Sequence, residues 1–178
     1  MRIVGGRLGG RRLAAPRGPH TRPTADRVRE ALFGILGDVE GNAVLDLFAG
    51  SGALGIEALS RGAAHATFVD SAPAAIAAVR RNLAELGLED AAEVRHSDAR
   101  TFLRKARATG RHYDLVFLDP PYRRAAALAA DVSQALPPVL APRARVVAES
   151  DRRAPLELAL RQVDERRYGD TLIRIHAP

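Results

Sequence analysis

Short apolar runs alternate along this chain with longer stretches in which apolar residues recur at helical spacing. A helix is predicted to start near Thr24. Pro23 precedes it, Asp26 suits the positive end of the helix dipole, and Val28, Leu32 and Ile35 recur at i, i+4, i+7 before Gly37 stops it. Residues 43–47 read as a strand, followed by a glycine loop and a helix through Ser60. Residues 67–69 form the core of the next strand. Ser71 then caps a helix with the stripe Ile76, Val79, Leu83 and Leu86, stopped by Gly87. A short strand over 92–95 leads to Ser97-Asp98 and a helix carrying Phe102, Leu103 and Ala106, which stops at Gly110. The nearly continuous apolar run 113–118 is the mark of a strand buried on both faces. A helix over 125–136 and a strand over 145–149 follow. Gly169-Asp170, between 162–168 and 171–176, predicts a type II′ hairpin. Strands alternating with helices imply an α/β fold: a mostly parallel, doubly wound, Rossmann-like sheet with a C-terminal antiparallel hairpin.

The first 23 residues break this rhythm. Glycine pairs (Gly5-Gly6, Gly9-Gly10) and prolines separate short apolar pieces at Ile3-Val4, Leu8 and Leu13, as in a loose hairpin or wrapped arm. The segment has too few apolar residues for its own core and must lean on something else. Two parts are therefore expected: an N-terminal arm over 1–23 and a main domain over 24–178.

Charge separates the same parts. The chain of 178 residues carries +6. Residues 1–30 hold eight arginines against Asp26 and Glu30, so the entire excess lies there. Every basic residue except Lys105 is arginine, whose planar fork suits bidentate phosphate contacts. A segregated basic arm reads as a nucleic-acid footprint, with Arg7, Arg11, Arg12 and Arg22 as its contacts. The competing reading is a general preference for arginine in solvent. Arg80-Arg81, Arg152-Arg153 and Arg166-Arg167 are read that way, as solvated faces. The chain has no cysteine, no apolar run of membrane-spanning length and no signal-peptide core, which fits a cytoplasmic setting. The five histidines are scattered without ligand spacing, so no metal is expected.

Candidate chemistry begins in the loop after the first strand. Gly50, Gly52 and Gly55 satisfy G-x-G-x-x-G, letting backbone N–H groups approach a ligand at a helix start. Asp70 ends the next strand, placed to take ribose hydroxyls. So far a nicotinamide dehydrogenase fits as well as any adenosine binder. Asp46, inside the first strand, turns the reading away from a pyrophosphate and toward a cation such as S-adenosylmethionine. The same carboxylate is also suited to capping loop N–H groups, and the two roles are compatible. Asp98 and the backbone N–H of Ala99 are placed to meet an adenine edge; Asp98 fits a helix N-cap equally well.

Asp119-Pro120-Pro121-Tyr122 follows the buried strand at its carboxyl end, where open α/β sheets place ligands. The prolines stiffen the turn and remove two donors, leaving carbonyl acceptors beside an aromatic face. Asp119 and the Pro120 carbonyl are suited to accept both hydrogens of an exocyclic amine while Tyr122 stacks on its base. Such acceptors stabilise the positive charge that develops on a poorly nucleophilic aryl amine. Arg123-Arg124, directly after this turn, is the pair expected to touch phosphate.

With these residues in hand, the chain resembles the bacterial guanine-N2 methyltransferases of small-subunit ribosomal RNA, the RsmD family. The resemblance rests on RIVGGRLGGRRL at the start, TRPTADRVREALF at 21–33, VLDLFAGSGALGIEALSRGA at 44–63, YDLVFLDPPY at 113–122 and YGDT at 168–171. It implies a class I methyltransferase fold and transfer from S-adenosylmethionine to the 2-amino group of a guanine in 16S rRNA, with the small subunit as partner. Separately from the resemblance, a monomer is expected, although the sequence carries no sign of oligomeric state. By position the resemblance implies a cofactor site at Gly50, Gly52, Asp70 and Asp98 and an amino-group clamp at Asp119, Pro120 and Tyr122. It also puts Arg22, Thr24 and Arg27 near the cofactor or target mouth. The alternatives are an N-methyltransferase for DNA adenine or cytosine or for protein glutamine, a nicotinamide oxidoreductase, and a non-catalytic RNA-binding factor. The basic arm and the TRPT block favour RNA.

Overall fold

The computed structural model describes residues 1–16, 26–120 and 125–178, with the side chains of 125–128 left aside. Seven strands form one sheet in the order β3-β2-β1-β4-β5-β7-β6. They are β1 (Ala43–Asp46), β2 (His65–Asp70), β3 (Ala92–His96), β4 (Tyr113–Leu118), β5 (Leu140–Asp151), β6 (Arg161–Tyr168) and β7 (Thr171–Ala177). The first five run parallel, and β7 pairs antiparallel with both β5 and β6. The doubly wound sheet and terminal hairpin expected from the sequence are both present. Gly169 has φ 62° and no described non-glycine residue has positive φ, so only the first turn position is left-handed, as a type II′ turn requires.

Strand side chains divide between two cores, as the two-residue period dictates. Val44, Phe68, Leu115 and Phe117 face one side, with α1 (Asp26–Leu36), α2 (Ala53–Ser60) and α3 (Pro73–Leu86). Leu45, Val69, Val116 and Leu118 face the other, covered by α4 (Ala99–Ala108) and α5 (Ala125–Ala135). Phe33 and Phe117 meet across the first core with centroids 5.8 Å apart. Burying each such ring contributes roughly 1.5–3 kcal/mol.

Three local expectations change. Helix α1 buries Phe33 and Leu36 and leaves Ile35 exposed, because its contact face is the row through Val28, Arg29, Leu32, Phe33 and Leu36. Ser71 does not cap α3. Pro73 occupies the first turn, and Ala72 before it takes the extended geometry (φ −92°, ψ 122°) that a following proline imposes. Strand β5 is longer than 145–149, running from Leu140 through a register shift opposite Tyr113 and Leu115. Thr24, the expected helix start, lies outside the described residues.

The N-terminal segment folds back on itself and then onto α2 and α3. Arg2 and Arg12 bridge antiparallel, Ile3 N–H donates to the Arg11 carbonyl at 2.9 Å, and Ile3 and Leu13 are buried in the first core. Polar groups set inside the helices hold it. The Val4 N–H donates to Glu57 Oε2 at 2.8 Å, and the Leu8 N–H donates to Ser60 Oγ at 3.0 Å. Asn82 accepts from the Ala14 N–H at 2.8 Å and donates to the Ala14 carbonyl at 3.0 Å. No helix among the described residues is long and apolar enough to cross a membrane.

Candidate active site

The sheet reverses its winding between β1 and β4, and the crevice beyond the carboxyl ends of these strands is where such a sheet offers a site. Asp98, Asp70, Asp46 and Asp119 stand at the ends of β3, β2, β1 and β4, in the same order as the strands lie in the sheet. Neighbouring strands are about 4.8 Å apart, so four sequence-distant carboxylates share one edge.

The base of the glycine loop is fixed on both sides of β1. The Leu47 N–H donates to the Phe117 carbonyl at 3.1 Å and the Ala49 N–H to the Val69 carbonyl at 3.0 Å. Gly50 and Gly52 then take left-handed φ of 54° and 79°. A Cβ on Gly50 would meet nothing within 4 Å, so that part of the loop faces open space. A Cβ on Gly55 would sit 2.4 Å from Phe68 Cε1; here glycine lets α2 close onto β2. The three glycines thus divide their work between the ligand side and the packing side, as this motif requires.

Asp46 is 2% exposed and its Oδ2 accepts the Gly55 N–H at 3.1 Å. Burial pushes its pKa up to about 7; the Gly55 hydrogen bond opposes the rise, and the negative charge of Asp70 adds to it. Asp70 accepts from the Gly50 N–H at 2.9 Å and from the Ala72 N–H at 2.8 Å, one bond to each oxygen. An ionised carboxylate has about four acceptor directions, so two remain for ligand hydroxyls. Asp98 caps α4 by accepting the Thr101 N–H at 2.9 Å, and that bond holds its carboxyl below the ordinary range. The capping role is therefore filled, and the side chain is exposed with its second oxygen outside that bond. Ala99, the first residue of α4, is buried; its N–H is one of the first-turn donors that a helix leaves without an internal acceptor.

Asp119 is half-buried and Pro120 buried. Desolvation raises the Asp119 carboxyl well above its usual range, and the nearby carboxylates of Glu149 and Asp46 raise it further. Glu149 was not singled out from the sequence. It lies on β5 at 6% exposure, one register step beyond the Leu118–Ala148 pair and so beside Asp119. The available signal was the one that marks Asp46 and Asp119, a carboxylate where a buried parallel strand ends. Three acidic groups on β1, β4 and β5 thus converge in a low-dielectric crevice, which suits a cationic ligand and a hydrogen-bond-donating amine.

The expected nucleic-acid contacts are dispersed. Arg7, Arg11 and Arg12 are exposed on the docked arm. Arg11 donates to the Glu85 carbonyl at 3.0 Å near the C-terminal end of α3, whereas the site lies toward the start of that helix. Arg29, part of the basic excess, is fully buried, bonded to the Arg2 carbonyl and to Asp26 Oδ1, and is no phosphate contact. Arg27 is exposed in the first turn of α1. Arg22, Thr24, Tyr122, Arg123 and Arg124 lie outside the described residues. Asn82 links arm and site: besides Ala14 it donates to the Ser51 carbonyl of the glycine loop at 2.8 Å.

Comparison with known proteins agrees with this architecture. A family model described as conserved hypothetical protein 95 matches residues 1–177. Ribosomal RNA small subunit methyltransferase D of Escherichia coli K12 is 48% identical over 125 residues, covering 70% of this chain. The match spans 61% of that relative's length. Among solved structures, the putative methyltransferase yhhF of Escherichia coli superposes with a TM-score of 0.84 at 37% identity, covering 100% of this chain and 99% of the other. A hypothetical protein of Thermus thermophilus gives 0.86 at 31% identity, with the same coverage.

Proposed function

The chain belongs to the family described as conserved hypothetical protein 95, the RsmD family, and from that premise we propose that it methylates the 2-amino group of a guanine in 16S ribosomal RNA, using S-adenosylmethionine. The observation that carries the reading is the pairing of Asp119-Pro120, at the end of buried β4, with the buried Asp46 one strand away. The cofactor supplies an electrophilic methyl group on a sulfonium sulfur. The described residues fit it: a loop open at Gly50, a carboxylate at Asp70 with acceptor capacity left, and a buried acid at Asp46 that gains from a positive neighbour.

In this reading Asp70 takes the ribose hydroxyls, and Asp98 with the Ala99 N–H takes the adenine edge. Asp46 faces the cationic end. Asp119 accepts one hydrogen of the guanine amino group and the Pro120 carbonyl accepts the other, while Tyr122 stacks on the base. The two acceptors draw the nitrogen toward a pyramidal geometry and stabilise the positive charge that grows on it. Holding that nitrogen in line with the methyl group supplies the proximity part of the rate, on the order of 7–11 kcal/mol. Afterwards the surplus proton leaves the methylated nitrogen for an Asp119 oxygen or for water. The exposed arm residues Arg7, Arg11 and Arg12, with Arg22, Arg123 and Arg124, contact RNA phosphates. The enzyme acts in the cytoplasm, as a monomer on the small subunit, without a metal.

Tritiated S-adenosylmethionine, small subunits from a strain lacking this gene, and nucleoside analysis test the reading together. Label in N2-methylguanosine is the expected result. Label in another nucleoside refutes the guanine amine as target, and no label in subunits refutes the activity.

A further inference from the structure

Arginines that the sequence scatters over more than twenty residues come together beyond the end of β5. Arg152 and Arg153 follow β5, Arg167 lies on β6 and Arg174 on β7; with Glu165 and Leu172 they line a cavity of about 300 Å³. Its position is informative. Asp151 pairs with Thr171 and Arg167 with Leu172, so the cavity opens at the same carboxyl edge as Asp119 and Glu149. Counting strands from β4 to β6 at about 4.8 Å each puts it roughly 10–15 Å from Asp119.

The charged groups around it are unequally committed. Arg174 is 16% exposed and doubly held, by Glu165 at 3.0 Å and Glu157 at 2.8 Å. Arg153 is 74% exposed and reaches Asp170 only at 3.9 Å. Arg167 is 73% exposed and pairs with Glu165 two residues away on its own strand. Arg152 shares Asp170 through its Nε at 3.2 Å. One carboxylate, Asp170, thus serves two arginines, and Glu165 serves two others. Exposed pairs of this kind contribute little net stability, so an incoming anion meets little competition from them. Partly buried, doubly held Arg174 forms the floor, and the exposed forks of Arg153 and Arg167 form the rim. Guanidinium forks at a rim match the two free oxygens of a phosphodiester.

We propose that this cavity takes a backbone phosphate of the RNA substrate, held by Arg152, Arg153 and Arg167, on the strand flanking the target guanine. The inference rests on the RNA reading above and adds a second contact region, on the opposite side of Asp119 from the N-terminal arm. It gives a small enzyme a way to grip its substrate on both flanks of the reacting base.

The double variant Arg153→Gln/Arg167→Gln tests it, with binding to 16S ribosomal RNA or small subunits measured from low to moderate salt. Each lost phosphate contact lowers the slope of log K against log salt by about 0.7–0.9, and one phosphate is lost here, so the variant should be shallower by up to that amount. S-adenosylmethionine affinity and the thermal midpoint should stay at the wild-type values, and Arg153→Lys/Arg167→Lys should restore most of the slope. An unchanged slope in a folded variant overturns the proposal while wild-type methylation leaves the function standing. Wild-type protein with no RNA affinity overturns both.

Discussion

Asp46→Asn isolates the electrostatic cost of the crevice. In the folded protein the Asp46 carboxyl keeps its proton to about pH 7, whereas the unfolded chain releases it near 3.8. Between those values the native state binds more protons than the unfolded state, so stability falls as pH rises from about 4 to about 7 and levels off above. The gap of about 3 units corresponds to about 4 kcal/mol, at about 1.4 kcal/mol per pH unit. Asparagine keeps an oxygen for the Gly55 N–H and never ionises, so the variant should lose that decline. It should match the wild type near pH 4 and exceed it by up to about 4 kcal/mol at pH 8, without ligand. Urea unfolding at half-unit steps from pH 4 to 8 measures the curve. The raised Asp119 acts with the same sign, so Asp119→Asn and the double variant are needed; the Asp46 share is the difference between those two curves. Parallel wild-type and Asp46→Asn curves between pH 5 and 7 would refute the argument. A cationic ligand should reverse the ranking at pH 8, stabilising the wild type more than Asp46→Asn, and a thermal-shift comparison with and without S-adenosylmethionine reads that directly.

Asp119→Ala should lower methylation by about 10²-fold or more while leaving the thermal midpoint at or above the wild-type value, since it removes a crowded carboxylate rather than a packing group. A lowered midpoint with retained activity would assign Asp119 to structure. Gly50→Ala and Gly55→Ala should separate the two sides of the loop. The first places a methyl in open space at φ 54° and should weaken S-adenosylmethionine binding measured by calorimetry. The second drives Cβ into Phe68 and should cost about 1–3 kcal/mol of stability by overpacking. Asn82→Ala strips partners from Ala14 and Ser51 and should cost about 1–3 kcal/mol. Hydrogen exchange should rise together over residues 1–14 and the glycine loop; a rise confined to the arm would show that the two are not coupled.

The strand-end acids were legible because each closes a local signal: an apolar run, then a carboxylate, then a turn or helix start. Asp46, Asp70, Asp98 and Asp119 need no knowledge of distant residues to be found. Glu149 follows the same rule but lacks a glycine or proline motif behind it. The docking of the arm was not legible in the same way. Glu57, Ser60 and Asn82 sit inside apolar helices, and their partners are backbone groups more than 50 residues away. Periodicity reports which face of a helix is apolar and is silent about a polar residue that a remote carbonyl satisfies. Ile35 shows the same limit: the i, i+4, i+7 rule admits it, but the arm and the sheet settle on Phe33 and Leu36. The arginine cavity is the third case. Arg152-Arg153 and Arg166-Arg167 look like solvated faces until the antiparallel return of β7 brings members of both pairs to one place.

A fold chosen for stability alone would not gather Asp46, Asp119 and Glu149 at one buried edge. Each ionised group there raises the cost of ionising the next, and apolar replacements of similar volume often stabilise such positions. The arrangement becomes favourable only when positive charge and amine donors enter the crevice, and that is the condition the proposed reaction would supply. The same logic explains the division along the chain. Glu57 and Arg29 are buried, each neutralised by a partly exposed partner (Arg61 and Asp26), and both hold the arm. Arg153, loosely paired at 3.9 Å, and Arg167, paired only with Glu165 of its own strand, stay exposed at the same edge. On the proposed function, acid concentrates where the cation and the amine would bind and arginine where phosphates would pass, and the sheet keeps the two about 10–15 Å apart so that neither cancels the other.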